Sequence, residues 1–487
     1  MSIHRQSNKR EDGTQGFMAA FWLLVVALLP FFIYPAHLLS STRPGGGDVS
    51  AAMQSLSAAT ASVTPEMAWI FPRVLLVLLF AVPGLLWVRR RFAPDLYSLL
   101  VTVYALAFLL SAVLSHDQLQ FILLGGSGRM DGVLYAVGLT VFMLSGYYFS
   151  KDYPNMLQLF YLAVSIGGVA ETAVVTLQRL GHDPIGPITR GQPYTDIITG
   201  TVGNPGMLAG LLLPVTLLSL GAALTPRFSV RMRNWAVAAM LITAAGIAMT
   251  GNKSSFYGLI LMLVLYVLLE RTRPAFLLSV AAVASLLVTP HIVPNRTSYS
   301  HPLTLTSSAA TRPALWLLTL KAVAATPGQP LLGAGPDGLR LTVLRHEKLV
   351  TEMMDVYRVA ERWPAERRIE RIEPLYSAKD PIRSRAFVVI FSDNPSGQIY
   401  RVNVDKAHNM LLDRAVRSGV LAALIWAILY LVPVFRLIGS RNPLLKAAAV
   451  SLAGLFLYYL FWFPVPQVEP IHVALVSIAW GISGQRS

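Results

Sequence analysis

Hydrophobic runs long enough to cross a bilayer recur along the whole chain, separated by short polar turns. About 20 apolar residues span the ~30 Å hydrocarbon layer. Twelve segments fit this pattern: 17–39, 67–88, 96–114, 132–149, 155–178, 203–224, 235–250, 254–269, 275–291, 411–436, 445–463 and 470–484. We therefore predict an all-α polytopic membrane protein with about twelve transmembrane helices.

One connection is much longer and more polar than the others. Residues 292–405 contain an apolar-periodic helix at 311–326, a charged amphipathic helix at 351–374 and two short extended segments, "RAFVVIFSD" and "GQIYRVNV". Loops longer than ~15 residues are usually functional or disordered. We predict three parts: transmembrane helices 1–9 in residues 1–291, a large periplasmic loop subdomain in 292–405, and transmembrane helices 10–12 in 406–487.

The composition supports the membrane assignment and gives an orientation. The chain is 54% hydrophobic and only 13% charged, which excludes a typical soluble protein. Its net charge of +15 is explained by the positive-inside rule and by anionic lipid rather than by nucleic acid. The basic turns "RRRFAPD", "TPRFSVRMRN", "ERTRP" and "FRLIGSRNPLLK" alternate with less basic ones. Both termini are therefore expected in the cytoplasm.

Five polar segments fall at outer helix ends or in outer loops, where positive charge should be scarce. They are "GGSGRMDG" (125–132), "ITRGQPYTD" (188–196), "GTVGNPGMLA" (200–209), "TGNKSS" (250–255) and "DKAHNMLLD" (405–413). Because all of them face the same side, they predict a site there. Arg190 and Lys253 are candidate anion ligands, while Arg129 is either an anion ligand or an interfacial anchor.

His408 is the candidate catalytic base. Ionisable groups that enter a membrane are costly and often functional, and imidazole can take up a proton near neutral pH. We expect Asp405 to cap the following helix, with His408 and Leu412 on one face of it. Asp413 either orients His408 or pairs with a neighbour, and His472 is a weaker second candidate.

Several motifs of other enzyme classes are missing from the sequence. There is no cysteine, no Walker A loop, no H-E-x-x-H and no D-x-D pair, so no metal or other cofactor is expected. "GAGPDG" (333–338) lacks a surrounding βαβ unit and is predicted to be a tight turn. A histidine and several cations on the outer face indicate transfer from a lipid diphosphate, whose departing charge the cations would neutralise.

Four segments resemble the O-antigen ligase superfamily, in the order found in that family. They are "GGSGRMDGVL", "GTVGNPGMLAGLLLP", "RPALWLLTLKAVAATPGQPLLGAGPDGL" and "DKAHNMLLDRAVRSGVLAAL". The resemblance covers about residues 96–485. It departs from the family at Asn252-Lys253, where Ser-Arg is more usual, and at Gly206, where a second Asn is usual.

The resemblance implies a GT-C-like fold and a metal-independent glycosyltransferase of the bacterial inner membrane. It makes His408 the base acting on the acceptor and places Arg190, Lys253 and Arg129 on the diphosphate. Supporting residues would be Asn204, Arg312, Asp405, Asn409 and Asp413. The donor would be an undecaprenyl-diphosphate-linked glycan.

The resemblance is compatible with three classes of acceptor. Lipid A-core corresponds to a ligase, another lipid-linked glycan to an O-antigen polymerase, and a secreted protein to a protein O-oligosaccharyltransferase. A transporter of an anionic lipid or sugar is the alternative that is not an enzyme. Transporters place polar groups near mid-membrane and often contain repeated halves, neither of which is evident here.

Overall fold

The computed structural model describes residues 2–33, 67–126, 129–186, 198–296, 307–361, 363–364, 367–375, 386–401, 404 and 406–485. It is 74% helical, in agreement with a helical multi-pass membrane protein. Within these residues, nine helices are long and apolar enough to cross a membrane, and three shorter apolar helices accompany them.

The first half of the chain is a series of long helices joined by short turns. Their bounds are α1 Ser2–Leu28, α2 Met67–Arg91, α3 Leu96–Leu114, the short α4 Leu119–Leu124, α5 Val133–Asp152, α6 Met156–Arg179, α7 Pro205–Ala223, α8 Val230–Thr250, α9 Lys253–Glu270 and α10 Arg273–Ile292. A short 3-10 turn, Leu29–Phe31, follows α1. Most of these bounds agree with the predicted segments to within a few residues, although part of the first segment, 34–39, lies outside the described residues.

The polar stretch is a small mixed α/β unit. Its elements are α11 Ser307–Val323, α12 Gln329–Leu332, α13 Gly338–Arg345, α14 Glu347–Glu361, β1 Ile369–Leu375, β2 Ala386–Phe391 and β3 Asn394–Arg401. The strands form one antiparallel sheet in the order β1-β2-β3. The helix predicted for 351–374 is wrong in its second half, because the helix ends at Glu361 and Ile369–Leu375 is a strand paired with β2.

The chain returns to the bundle through α15 Met410–Ser418, α16 Val420–Leu437, α17 Pro443–Tyr459 and α18 Glu469–Ser483. The predicted continuous helix 411–436 is wrong, because Gly419 breaks it with φ +87° and ψ 162°. An L-residue with a side chain rarely adopts this conformation, whereas glycine does so at little cost. The charged residues before the break therefore lie on a separate short helix.

The core is organised around α7, in which 94% of the residues in an apolar stretch of 18 are buried. This helix packs mainly against α8 and α17, while α5 packs between α2 and α18. By contrast, only 22% of the residues in the corresponding stretch of α10 are buried, as expected for a helix at the lipid-facing edge of a bundle. A second hydrophobic cluster joins α11, α14 and β2 to Ala415 and Val416 of α15. The α15 helix therefore connects the polar subdomain to the bundle.

Candidate functional site

The site is centred on an aromatic pair that sequence analysis did not select. Trp462 and Phe463 lie in the linker between α17 and α18, with their rings nearly parallel at 8° and their centroids 5.8 Å apart. His408 lies against both rings, 5.3 Å from Trp462 and 4.8 Å from Phe463, edge to face in each case. The two aromatic rings thus cover one side of the His408 imidazole.

Two predicted cations face the same aromatic pair. The Arg129 guanidinium carbon lies 5.4 Å from the Phe463 ring centroid, and that of Arg312 lies 5.9 Å from the Trp462 ring. Such cation–π distances are favourable. Burial lowers the pKa of Arg312 below its usual value, with the nearby Tyr458 opposing the shift. Arg129, Arg312 and His408, which are far apart in sequence, therefore meet at Trp462 and Phe463.

His408 does not lie on a helix, contrary to the prediction. It precedes α15 and has a left-handed backbone with φ +50°, so it does not share a helical face with Leu412. Left-handed non-glycine residues are strained and are concentrated at functional sites. Asp405, the predicted cap, lies outside the described residues. The cap is Asn409, whose side-chain oxygen accepts hydrogen bonds from the backbone N–H groups of Leu411 and Leu412.

Three asparagine-capped helices begin at this site. Besides Asn409, Asn204 caps α7 by accepting from Gly206 N and Met207 N, and Asn252 caps α9 by accepting from Ser255 N. Asn409 Nδ2 also donates to Leu460 O at 3.0 Å, just before the aromatic pair. Each cap satisfies orphan N–H groups and directs a positive helix end towards the same region.

Gly206 allows two of these helices to approach Trp462. A Cβ atom at Gly206 would lie 2.7 Å from the Trp462 ring and 3.1 Å from Asn252 Nδ2. Any side chain there would displace one of them. The Trp462 indole ring thus occupies the space that a larger residue at position 206 would need.

Two buried donors at the site have no hydrogen-bond partner among the described residues. They are Lys253 Nζ, at the start of α9, and Trp462 Nε1. Buried polar groups are nearly always satisfied in proteins, so these orphans call for a ligand, ion or water. Arg190 cannot be placed in the same way, because it lies outside the described residues.

Lys406 and Asp413, predicted beside His408, belong to a buried ion-pair network. Lys406 Nζ lies 2.5 Å from Asp131 Oδ2, and Arg417 Nη1 lies 3.0 Å from the same oxygen. Asp413 Oδ2 is 3.9 Å from Lys406 and 3.7 Å from Arg417. Arg414 pairs with Glu469 in the adjacent part of the network. Asp413 therefore pairs with neighbouring cations, which was one of its two predicted roles.

The "GAGPDG" segment is a turn, as predicted, and it packs on the end of α15. Gly335 N donates to Arg417 O at 3.0 Å, and Ala334 N donates to Val416 O at 2.8 Å. A Cβ atom at Gly333 would lie 2.4 Å from the Arg417 backbone. The glycines thus permit backbone-to-backbone contact rather than phosphate binding.

His472, the weaker histidine candidate, is part of the bundle core. It is fully buried, with Nδ1 2.5 Å from the Tyr459 hydroxyl and Nε2 3.1 Å from Gly210 O. Both ring nitrogens are satisfied by these partners. His472 therefore packs between helices and does not face the aromatic pair.

The described residues contain no group of three or more His, Cys, Asp and Glu side chains able to hold a metal ion. That the protein works without a metal stays a prediction. No protein-family model matches this chain, and no curated protein is significantly similar to it.

Proposed function

We propose that the protein transfers a glycan from an undecaprenyl-diphosphate carrier to an acceptor hydroxyl at the periplasmic face of a bacterial inner membrane. The proposal is carried by one observation: the imidazole of His408 and the guanidinium groups of Arg129 and Arg312 face one aromatic pair. A base and several cations in one place are what displacement of a lipid diphosphate needs.

The donor's diphosphate is assigned to the region between α7, α9 and Trp462. Two observations support this assignment. Lys253 Nζ and Trp462 Nε1 are buried donors that lack partners among the described residues, and the capped ends at Asn204 and Asn252 add the positive ends of two helix dipoles. Such a combination favours an anion.

The proposed reaction is a single displacement at the first sugar carbon of the donor. The acceptor oxygen forms a bond to that carbon while His408 takes the hydroxyl proton. The bond between carbon and diphosphate oxygen breaks, and the lipid diphosphate leaves with the electron pair. Arg129, Arg312 and Lys253 neutralise the charge that develops on it. Because attack is opposite to the leaving group, the sugar carbon is inverted.

The acceptor is proposed to be lipid A-core, the ligase form of this chemistry. Polymerase and protein O-oligosaccharyltransferase activities would use the same residues with a different acceptor, and an anionic lipid or sugar transporter is the competing class. The resemblance of four segments to the O-antigen ligase superfamily favours the enzyme. So does the position of His408 just before a helix start rather than in the middle of a span.

We also propose that the three shorter apolar helices complete twelve crossings in a GT-C-like arrangement. They are Gln15–Phe31, Pro443–Tyr459 and Glu469–Ser483. The last two have 17 and 15 residues, below the usual ~20. Both are mostly buried among other helices. Because they contact little lipid, they need not match the full thickness of the hydrocarbon layer.

The test is transfer in liposomes containing an undecaprenyl-diphosphate-linked glycan and lipid A-core, followed by gel mobility of the glycan. His408→Ala is compared with His116→Ala. His116 is a matched control, since it is also a left-handed histidine, with φ +52°, but is exposed and lies in the turn between α3 and α4. We expect wild type and His116→Ala to transfer glycan and His408→Ala to lose at least a hundredfold in rate.

Equal transfer by all three proteins would remove His408 from the reaction. Elongation of the glycan on its own carrier would indicate a polymerase. No product with lipid A-core, lipid-linked glycan or a protein acceptor would refute the glycosyltransferase proposal and favour the transporter.

A further inference from the structure

Among the described residues, the ion pairs of the network behind His408 join three carboxylates to three cations. The carboxylates are Asp131, Asp413 and Glu469, and the cations are Lys406, Arg414 and Arg417. None of these side chains is more than 6% exposed. Each of these three cations faces a carboxylate, so they differ from Lys253, which has no partner among the described residues.

Asp131 connects the two loops that carry Arg129 and His408. It is two residues after Arg129, and Lys406, which contacts its Oδ2 at 2.5 Å, is two residues before His408. Arg417 reinforces the connection, with Nη1 3.0 Å from Asp131 Oδ2 and Nη2 donating to Asp131 O at 2.7 Å. The carboxylate thus joins a loop between α4 and α5 to the loop before α15.

Both connected loops contain a strained residue next to the connection. Met130 and His408 each have φ +50°. Strained backbone of this kind persists only where the surrounding structure over-determines it. The short ion pairs at Asp131 supply such a constraint on either side, and they do so beside the two side chains that face Phe463.

We infer that Asp131 is a positioning residue: through Lys406 and Arg417 it holds Arg129 and His408 together at Phe463. The inference rests on the proposed function for its effect on transfer, but the positioning itself can be measured without any reaction. Asp131 does not touch the substrate in this assignment. Its loss should move the base and one cation while leaving both side chains present.

The experiment compares Asp131→Asn with Glu270→Gln in the full chain. Glu270 forms a 2.6 Å ion pair with Lys446, and both side chains are about one tenth exposed. This control breaks a similar pair between α9 and α17 with no contact to the network. Transfer is expressed per folded molecule at a temperature well below both melting transitions, so that a general loss of stability does not enter the comparison.

The first readout is kinetic. We expect Asp131→Asn to lower kcat at least tenfold with the KM for donor changed less than threefold, because Lys253 and Arg312 remain in place. Glu270→Gln should keep kcat within twofold of wild type. A kcat for Asp131→Asn equal to that of Glu270→Gln would overturn the inference.

The second readout needs no substrate. Diethylpyrocarbonate modifies accessible imidazole, and mass spectrometry measures its rate at His408 with the exposed His116 as internal reference. We expect Asp131→Asn to raise the His408 rate several-fold and to leave His116 unchanged, whereas Glu270→Gln changes neither. If wild type transfers no glycan, the proposed function fails and this rate still decides the inference. An unchanged His408 rate would overturn it.

Discussion

Lys253 combines burial, positive charge and the lack of a partner among the described residues. An unpaired buried ammonium costs stability, because its lost hydration is not replaced. Proteins retain such groups where function needs them, at some expense in stability. At the residue scale, we therefore expect the Lys253 side chain to favour donor binding and to lower the stability of the folded protein.

Replacing Lys253 with Met should change stability and donor binding in opposite directions. We expect the melting temperature in detergent to rise, because an unpaired charge is removed. The KM for the lipid-diphosphate donor should rise about 10- to 100-fold, the value of a charge-assisted hydrogen bond. Lys253→Arg should retain most of the binding, and Lys348→Met, at an exposed site in the polar subdomain, should change neither quantity. A lower melting temperature with unchanged KM would assign Lys253 a structural role.

Asp131 gives a prediction about pH. Burial by itself raises the pKa of this carboxyl, but the charges of Arg417 and Lys406 outweigh it and hold the pKa at about 2. A carboxyl whose folded pKa is depressed stabilises the protein above its unfolded pKa, near 4. That contribution, of about 2 kcal/mol, is lost as the pH falls from about 4 to about 2.

The measurement is the melting temperature of wild type and Asp131→Asn between pH 7 and pH 2.5. The variant should be less stable at pH 7, since Lys406 and Arg417 lose their partner. The difference between the two proteins should stay constant down to about pH 5 and narrow below pH 4. A difference that does not depend on pH would mean that the pKa of Asp131 is not lowered in the folded protein.

At the scale of elements, hydropathy predicted the long helices but missed the break within 411–436. Val416, Val420 and the apolar residues beyond continue the pattern through the break, so periodicity alone carries no stop signal there. The deciding interaction is tertiary: a Cβ atom at Gly419 would lie 1.9 Å from Leu331 O. Contact with a segment about ninety residues earlier in the chain cannot be derived from local sequence.

Only part of the candidate site was predicted, because its charged residues stand out in the sequence and its aromatic residues do not. Arg129, Lys253 and His408 were selected because charge stands out in an apolar sequence. Trp462 and Phe463 were not, because aromatic residues near a span end are typical of interfacial belts. A local signal was available in "FWFPVP" (461–466), where two prolines end the helical pattern directly after the rings.

Gly419→Ala tests the break between α15 and α16. The alanine would have to adopt φ +87° and would place its Cβ against Leu331 O, so the cost should exceed the 1–3 kcal/mol of an ordinary strained residue. We expect a large fall in melting temperature and loss of transfer. Gly439→Ala is the matched control, because a Cβ atom there meets nothing within 4 Å and its φ is not left-handed. Equal melting temperatures would mean that the break is not required for folding.

At the scale of the whole molecule, the polar groups are distributed unequally between the two ends of the bundle. The starts of α7 and α9, the loop before α15 and the linker after α17 meet at Trp462. The opposite ends of the same helices carry basic turns such as the segment 226–233. This separation is what an enzyme with a site on one membrane face requires. The positive-inside rule predicts that the basic turns lie in the cytoplasm and the end at Trp462 in the periplasm.

Cysteine labelling tests this orientation without background, because the chain contains no cysteine. Lys348→Cys lies on an exposed position of the polar subdomain and Arg227→Cys on an exposed position of the turn between α7 and α8. In spheroplasts, a membrane-impermeant maleimide should label Lys348→Cys at once and Arg227→Cys only after detergent is added. The reverse pattern would place His408 in the cytoplasm, where a periplasmic acceptor could not reach it. Labelling of both positions before detergent would mean that the two lie on the same side, and the alternation of basic turns would then not report the topology of this chain.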